Sequence, residues 1–281
     1  EIIQDAFARI GRIPLQATPD VAGSPEVGYR MRARLHVRNG RIGFFREGTH
    51  DICDAAATQQ LLRETGEWLA ATERTIRDRR LSGITEIELA ENIPATERAC
   101  HLELQAGVDP APYAALAENP PLTGLSAQRA DRPGIDRLTG ITAVSDTLHV
   151  RDGDPASALR LRRDVRAFFQ GNRFLLEPLV RRVAALVTSG PVIDLYAGVG
   201  LFGLSLAAGG LSDITLVEGD RLSGLWLLDN AEAFRGRVRV ERRSVETFLT
   251  THGRLDSATF IVDPPRTGMS KEAIAGIVAR S

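Results

Sequence analysis

The fold is decided by the stretch Val192-Ile193-Asp194-Leu195-Tyr196-Ala197-Gly198-Val199-Gly200, a short apolar run that ends in a glycine loop. Apolar spacing typical of a helix follows as far as residue 208, so the stretch predicts a buried strand, a tight turn and a helix. The short apolar pattern recurs at 214–218, 238–240 and 259–263, with helical segments between. Alternating strands and helices of this kind indicate a parallel sheet covered on both faces.

The first half of the chain has a different periodicity. Helical spacing over residues 1–12 and 55–80 encloses alternating polar and apolar strands at 29–38 and 41–46, joined at Asn39-Gly40, a hairpin signal. Further alternating strands are predicted at 84–89, 99–104, 140–144 and 147–150. The patterns predict a central α+β domain with an antiparallel sheet over residues 1–160, followed by a doubly wound α/β domain over residues 161–281.

Composition narrows the class of protein. The chain has 281 residues, 43% hydrophobic and 25% charged, with a net charge of -1, which is typical of a globular protein of about two domains. No apolar run approaches the ~20 residues that span a bilayer, so no membrane partner is expected. Cys53 and Cys100 lack CxxC spacing, which argues against a disulfide scaffold or a metal site and favours the cytoplasm. Both ends fall within helical patterns, so we expect a piece of a longer protein.

Arginine accounts for all but one of the 35 basic residues, the exception being Lys271. In the alternating strand 29–38 one face is predicted to carry Arg30, Arg32 and Arg34. Guanidinium groups suit phosphate contacts, so this face is predicted to bind RNA or DNA, although the pattern equally fits the solvated face of an antiparallel sheet. A second cluster, which we also expect to hold phosphates, comprises Arg160, Arg162, Arg163, Arg166 and Arg173.

The carboxyl ends of the predicted parallel strands carry the candidate site, because ligands of such sheets bind there. Gly198 and Gly200 allow a tight turn and a close ligand approach, and Gly198-x-Gly200-x-x-Gly203 alone is also a weak dinucleotide motif. Glu218, about 20 residues on, is placed to accept the hydroxyls of a ribose. These features fit an adenine dinucleotide or S-adenosylmethionine, against the alternative of a tight turn with a solvated glutamate.

The third strand end separates the two ligands. Asp263-Pro264-Pro265-Arg266 places a carboxylate before two prolines that stiffen the loop. This element is typical of methyltransferases that act on nucleic-acid bases. Arg266 stands where enzymes that methylate exocyclic amines usually have an aromatic residue, which argues for a different target atom. The three ends together predict a Rossmann-like S-adenosylmethionine-dependent methyltransferase domain.

Several motifs together resemble the RNA uracil-5-methyltransferase family of the 23S rRNA and tRNA type. They occur in the family's order and cover most of the chain: Phe168-Phe169-Gln170-Gly171-Asn172, Asp194 to Gly200, Val217-Glu218-Gly219, and Asp263 to Gly268. The arginine strand and Gly43-Phe44-Phe45 resemble the family's central domain. The resemblance implies methyl transfer to carbon 5 of a uridine in structured RNA. Residues 168–172 look closer to the ribosomal RNA members than to the transfer RNA members.

The resemblance also implies roles for individual residues. S-adenosylmethionine would be contacted by Gln170, Tyr196, Glu218 and Asp263, beside the glycine turn of Gly198 and Gly200. Tyr196 would lie along the cofactor and Glu218 would hold its ribose, whereas Gln170 and Asp263 would lie near the methionine end and the target base. The arginines of the alternating strand would hold rRNA or tRNA phosphates, and we expect a monomer.

The family's chemistry requires a cysteine thiolate that adds to carbon 6 of uracil and a base that removes the carbon-5 proton. Cys53 and Cys100 both lie in the arginine-bearing half without the family's context, so we interpret them as small packed side chains. The nucleophile and the base are expected beyond Ser281, and no catalytic residue is assigned within the chain. Ala57 lies near the position of a cluster ligand in many members, which argues against an iron–sulfur cluster.

Two further hypotheses remain. A non-catalytic RNA-binding scaffold could keep the methyltransferase fold without its chemistry. The less favoured alternative is an NAD-dependent oxidoreductase that uses the glycine motif.

Overall fold

A computed structural model of the chain describes residues 2–118, 122–151, 153–187, 189–253 and 258–280. Glu1 and Ser281, which bound the two predicted domains, lie outside the described residues. The α-helices in the described part of the first half are α1 (Ile2–Arg9) and α2 (Arg63–Asp78). Its strands are β1 (Arg32–Arg38), β2 (Arg41–Phe45), β3 (Ile52–Asp54), β4 (Ile84–Glu91), β5 (Arg98–Leu104), β6 (Gly124–Arg129) and β7 (Asp136–Gly140).

These seven strands form one sheet in the order β3-β2-β1-β4-β5-β6-β7. Its pairs are antiparallel, as predicted, except that β5 and β6 run parallel because a 3-10 helix at Ala111–Glu118 carries the chain back between them. The predicted hairpin turn is confirmed, since Asn39 and Gly40 both have positive φ and Arg38 pairs with Arg41. The sheet therefore brings β1 and β4 side by side at its centre.

One face of this sheet is apolar and the other polar. Helix α2 buries Trp68, Leu69 and Ile76 against the apolar face, which includes Leu35 and Ile87. The helix begins later than predicted, because residues 55–58 form a turn and Gln59 adopts a positive φ before it. The opposite face carries the arginines of β1.

Two further strands, β8 (Ala143–His149) and β9 (Ala158–Asp164), form an antiparallel pair between the halves. The sequence patterns missed β9, whose alternation of arginine and leucine has few apolar residues, and divided β8 wrongly, because Gly140 at positive φ ends the preceding strand. The strands β3, β6 and β7 were also missed. The predicted boundary between residues 160 and 161 falls within β9 and stays a prediction.

The second half has the predicted alternation of strands and helices. Its helices are α3 (Leu176–Leu186), α4 (Leu201–Ala208), α5 (Arg221–Ala231), α6 (Val245–Thr251) and α7 (Lys271–Val278). Its strands are β10 (Val192–Leu195), β11 (Ile214–Val217), β12 (Val238–Glu241) and β13 (Thr259–Val262). They form a parallel sheet in the order β12-β11-β10-β13, with residues of α4 and α5 in one flanking core and of α6 and α7 in the other.

Residues 168–175 form a loop before α3, although the apolar spacing from Phe168 onward favours a helix that already begins there. Asn172 stabilises the end of this loop, because its Oδ1 accepts hydrogen bonds from the backbone N–H groups of Phe174 and Leu175 at 3.0 and 3.2 Å. The loop places Phe168, Phe169 and Gln170 at the carboxyl end of the parallel sheet.

Buried ion pairs join the two halves and correct one expectation. Arg163 pairs with Asp146, and Arg173 donates a 2.8 Å hydrogen bond to Glu91, which also binds Arg98 at 2.7 Å. All five side chains are nearly inaccessible to water. The prediction that Arg163 and Arg173 hold phosphates is therefore wrong, since carboxylates inside the protein already occupy both guanidinium groups.

Candidate functional site

The carboxyl ends of three parallel strands meet in one row. Leu195, the last residue of β10, pairs with Val217 at the end of β11 and with Val262 at the end of β13. The next residues along the chain are Tyr196, Glu218 and Asp263. The sheet register therefore brings together the three strand ends that were predicted to carry the site.

The glycine loop after β10 has an unusual backbone. Tyr196, Gly198 and Gly200 have φ values of +61°, +58° and +99°. Glycine tolerates this region, but a bulky aromatic residue such as Tyr196 is strained there, a feature that clusters at functional sites. A Cβ added at Gly198 would meet no atom within 4 Å, whereas one at Gly203 would lie 2.0 Å from the Leu216 side chain. Gly198 thus leaves open space in the cleft, and Gly203 serves the packing of α4 on the sheet.

Glu218 holds the glycine loop through its carboxylate. Its two oxygens accept hydrogen bonds from the backbone N–H groups of Gly198 and Asp220, each at 2.6 Å. Burial raises the pKa of this carboxyl group above its ordinary value, and the backbone donors partly oppose the shift. The side chain therefore lies at the strand end, within reach of the loop that lines the cleft.

Asp194 lies beneath the same loop and is only 1% exposed. Its Oδ2 accepts a 2.8 Å hydrogen bond from the Gly203 N–H, whereas its Oδ1 has no hydrogen-bond partner among the described residues. Burial raises the pKa of Asp194 to about 7, with further contributions from the charges of Asp263 and Glu218. The sequence motif contains this residue, but its buried, half-satisfied carboxylate is visible only in the structure.

Gln170 and Asp263 meet across the cleft. The Gln170 Nε2 donates a 3.1 Å hydrogen bond to the Asp263 Oδ2, although 93 positions separate them in the chain. The described residues that line the cleft are Phe168, Phe169, Gln170, Tyr196, Ala197, Gly198, Val199, Leu201, Phe202 and Asp263. The cleft thus combines aromatic walls with a carboxylate and an amide at its mouth.

Asn230 of α5 supports this cleft and was missed by the sequence patterns. Its Nδ2 donates to the carbonyl oxygens of Val199 and Arg162, and its Oδ1 accepts from the Arg162 N–H, all at 2.9 Å. The side chain therefore ties the glycine loop to β9. A buried amide within an otherwise apolar helix face is the signal that could have identified it.

The predicted row of three arginines is only partly formed. Arg32 lies 3.4 Å from Glu88, and Arg34 pairs with Glu86 of the same neighbouring strand, so carboxylates balance both charges. Arg30 precedes β1, and its side chain lies on the apolar side of the sheet, because it contacts Phe44, which packs against the core under α2. Its guanidinium donates to Gln60 at 2.8 Å and lies 5.5 Å from the centre of the Phe44 ring.

Arg32 connects the arginine face with the cleft. Its guanidinium carbon lies 5.9 Å from the centre of the Phe168 ring, which lines the cleft and is 60% exposed. Within the described residues, no group of three or more His, Cys, Asp and Glu side chains is arranged to hold a metal ion. None of the described helices is long and apolar enough to cross a membrane.

Comparison with known proteins finds curated RNA methyltransferases that are similar to the chain, although no protein-family model matches it. An uncharacterized RNA methyltransferase of Parasynechococcus marenigrum is 24% identical over 99% of this chain and 64% of its own length. The 23S rRNA (uracil(1939)-C(5))-methyltransferase RlmD of Halomonas elongata is 28% identical over 95% of this chain and 58% of its own length. The chain thus spans about three fifths of these curated relatives.

The fold has a solved counterpart. The crystal structure of the Pyrococcus abyssi tRNA (uracil-54, C5)-methyltransferase, in complex with S-adenosyl-L-homocysteine, matches with a TM-score of 0.74 at 20% identity. The match covers 99% of this chain and 69% of that one. The chain is therefore a homologue of the RNA uracil-C5-methyltransferases and has the fold of that tRNA methyltransferase.

Proposed function

We propose that the chain binds S-adenosyl-L-methionine in the cleft and that the protein transfers the methyl group to carbon 5 of a uridine in structured RNA. The observation that carries this proposal is the Gln170–Asp263 hydrogen bond beside the aligned ends of β10 and β11. Ribosomal RNA is favoured over transfer RNA, because several of the similar curated proteins are named as 23S rRNA methyltransferases. A monomer in the cytoplasm is the setting that we propose for this activity.

The residues of the cleft fit the chemistry of this cofactor. S-adenosylmethionine carries a positive sulfonium, and Asp194, Glu218 and Asp263 surround the glycine loop with carboxylates. Among the described residues no group donates a hydrogen bond to the Asp194 Oδ1, and Gly198 leaves space in the cleft. A buried carboxylate without a cation is unfavourable by itself, so a cationic ligand improves its environment.

We assign each site residue one task within this proposal. Glu218 accepts the ribose hydroxyls, Tyr196 lies along the cofactor, and the turn at Gly198 and Gly200 permits a close backbone approach. Gln170 and Asp263 orient the methionine end and the target base. When bound, the cofactor supplies the electrophilic methyl group. Phosphates of the RNA are proposed to contact Arg30, Arg32 and Arg34.

The two cysteines do not supply the nucleophile in this proposal. Cys53, in β3, donates its thiol to the Phe44 carbonyl oxygen at 3.3 Å, and neither cysteine lines the cleft. Cys100 is buried under α2, and burial raises its thiol pKa far above the ordinary value, so the thiolate does not form at neutral pH. We therefore propose that the nucleophile and the base come from outside these 281 residues, which bind the cofactor but do not methylate uracil by themselves.

Calorimetry with S-adenosylhomocysteine tests the cofactor site. We expect Glu218→Ala and Asp263→Ala each to weaken binding by about 10-fold or more, since each removes a charged hydrogen-bonding group. Glu64→Ala, which removes an exposed carboxylate on α2, is the matched control and leaves the affinity unchanged. Unchanged affinity in both site variants would refute the proposed site. Binding of NAD without any response to S-adenosylhomocysteine would favour an oxidoreductase instead.

A further inference from the structure

A second depression lies at the far end of the arginine face, between the β1–β2 hairpin and the turn that leads from α2 to β4. We call it the hairpin pocket. Its lining includes His36, Arg38, Phe45, His50, Leu81 and Gln105. None of these residues belongs to the cofactor cleft.

The hairpin pocket contains a cluster of flat rings. Phe45 stacks on His36 with ring centres 3.6 Å apart and planes inclined by 6°, and the exposed His50 meets Phe45 edge-on at 5.3 Å. The Arg38 guanidinium lies 5.8 Å from the centre of the same Phe45 ring. Clustered aromatic and guanidinium surfaces of this kind are what unpaired nucleic-acid bases stack on.

The charge around this pocket differs from that of the rest of the face. Arg38, Arg46, Arg77 and Arg80 are all exposed, and none of them forms an ion pair with a carboxylate of the described residues. Arg77 and Arg80 line an adjoining depression that shares Leu81 with the hairpin pocket. The carboxylate that lines the hairpin pocket, Glu86, is already bound by Arg34 and His36. Arginines without a carboxylate partner among the described residues therefore lie near the rings, and guanidinium groups of this kind contact phosphates.

The strand β1 connects the hairpin pocket to the cofactor cleft. Alternate residues of β1 share a face, which puts Arg32, Arg34, His36 and Arg38 in one line. At ~3.3 Å per residue this line is ~20 Å long, and it begins at Arg32 beside Phe168 of the cleft. One RNA strand that lies along β1 can therefore contact both places.

From this arrangement we propose that the hairpin pocket binds an unpaired nucleotide of an RNA strand. The base stacks on the cluster of His36, Phe45 and His50, while flanking phosphates contact Arg38 and Arg80. The site lies ~20 Å along β1 from the cleft that receives the target uridine. This inference rests on the proposed function and adds a second contact with the same RNA.

The test measures fluorescence anisotropy of a labelled oligouridylate of about ten nucleotides, a length within the usual range for single-strand sites. We expect His50→Ala to weaken binding about 10-fold without changing its salt dependence, because stacking involves no counterion release. Arg38→Ala and Arg80→Ala should weaken binding and each reduce the slope of log affinity against log salt by about one. Arg182→Ala, at an exposed arginine of α3, is the matched control and leaves binding unchanged.

Three results would overturn the proposal. They are wild-type affinity in both Arg38→Ala and His50→Ala, an equal loss in Arg182→Ala, or equally tight binding of a blunt RNA duplex that offers no unpaired base. Every variant is also titrated with S-adenosylhomocysteine, whose affinity should not change, which confirms that the fold is intact. Loss of oligouridylate binding with normal S-adenosylhomocysteine binding separates this site from the cofactor site. A wild-type chain that binds the oligouridylate but not S-adenosylhomocysteine contradicts only the proposed function.

Discussion

Buried carboxylates occur in two regions of the molecule, and their hydrogen-bond and ion-pair partners differ. At the junction between the halves, Asp146 and Glu91 are bound by arginines that are themselves buried. Beside the cleft, the buried Asp194 and the half-buried Glu218 receive hydrogen bonds only from backbone N–H groups, and no arginine pairs with either among the described residues. Both junction carboxylates are therefore paired with arginines, whereas the carboxylates beside the cleft have no cationic partner among the described residues.

This difference in partners indicates different roles for the two sets of carboxylates. A buried ion pair is complete once the chain has folded, so it holds the two halves in one arrangement. A buried carboxylate without a cation has a raised pKa and gains from a positive ligand. The ion pairs of the junction thus hold the two halves together, and the carboxylates beside the cleft remain without a cation until the proposed sulfonium cofactor binds.

The largest expected effect is at the junction. Asp146→Ala leaves the buried Arg163 without its carboxylate and removes the acceptor of the 2.6 Å hydrogen bond from the Ile93 N–H. We expect a loss of about 3–5 kcal/mol in the free energy of unfolding, measured by urea denaturation. Glu232→Ala, which breaks the exposed pair with Arg235, is the control and should change stability by less than ~1 kcal/mol. A similar small change in both variants would mean that the junction does not depend on its ion pairs.

At Asp194, beneath the glycine loop, a substitution is expected to increase the free energy of unfolding rather than to lower it. The pKa of Asp194 rises from 3.8 to about 7 on folding, so the folded chain binds more protons than the unfolded chain between these pH values. Its contribution to stability is fully present below pH ~4 and is lost as the pH rises to ~7. Asp194→Asn keeps an acceptor for the Gly203 N–H but carries no charge. At pH 8 the variant should be more stable than wild type by up to ~4 kcal/mol, in urea denaturation over a series of pH values.

A variant that is less stable than wild type at pH 8 would contradict this assignment. The same variant should bind S-adenosylmethionine more weakly, while its affinity for S-adenosylhomocysteine, which lacks the sulfonium charge, changes less; calorimetry measures both.

Substitution of Asn230, which supports the glycine loop, is expected to have an intermediate effect on the free energy of unfolding. Asn230→Ala removes three hydrogen bonds between α5, β9 and the loop, and we expect a loss of about 1–3 kcal/mol in the free energy of unfolding. Calorimetry should show weaker S-adenosylhomocysteine binding, because the loop at Gly198 is no longer held. Gln128→Ala, at a half-buried amide of β6, is the control and leaves binding unchanged. Unchanged binding in Asn230→Ala would show that the loop holds its shape without this side chain.

The smallest effect is expected on the balanced arginine face. Arg34 is exposed and pairs with Glu86, so Arg34→Ala should change the free energy of unfolding by less than ~1 kcal/mol, measured by urea denaturation. In the oligouridylate titration its effect should also be smaller than that of Arg38→Ala, because Glu86 and Glu88 already balance its charge. A larger loss of RNA affinity in Arg34→Ala than in Arg38→Ala would indicate that the main RNA contact lies nearer to the cleft than the hairpin pocket does.

Part of this comparison could be predicted from the sequence. The glycine loop, the three strand ends and the Asn39-Gly40 hairpin are local patterns, and the structure confirms the strands and the turn. The sequence could not show which arginines are buried in ion pairs and which are exposed. Arg163 and Arg38 look alike in the sequence, yet one is buried against Asp146 and the other is exposed beside Phe45.

The sequence by itself determined the alternation of strands and helices in the second half and the Asn39-Gly40 turn, because periodicity and turn chemistry act between near neighbours. Only the tertiary structure decided which charges meet. Arg173 reaches Glu91 across 82 positions of the chain, and Gln170 reaches Asp263 across 93. Ion pairing and burial depend on distance in space, which the packing of two different sheets sets, so the same arginine or aspartate becomes a structural link in one place and a candidate binding group in another.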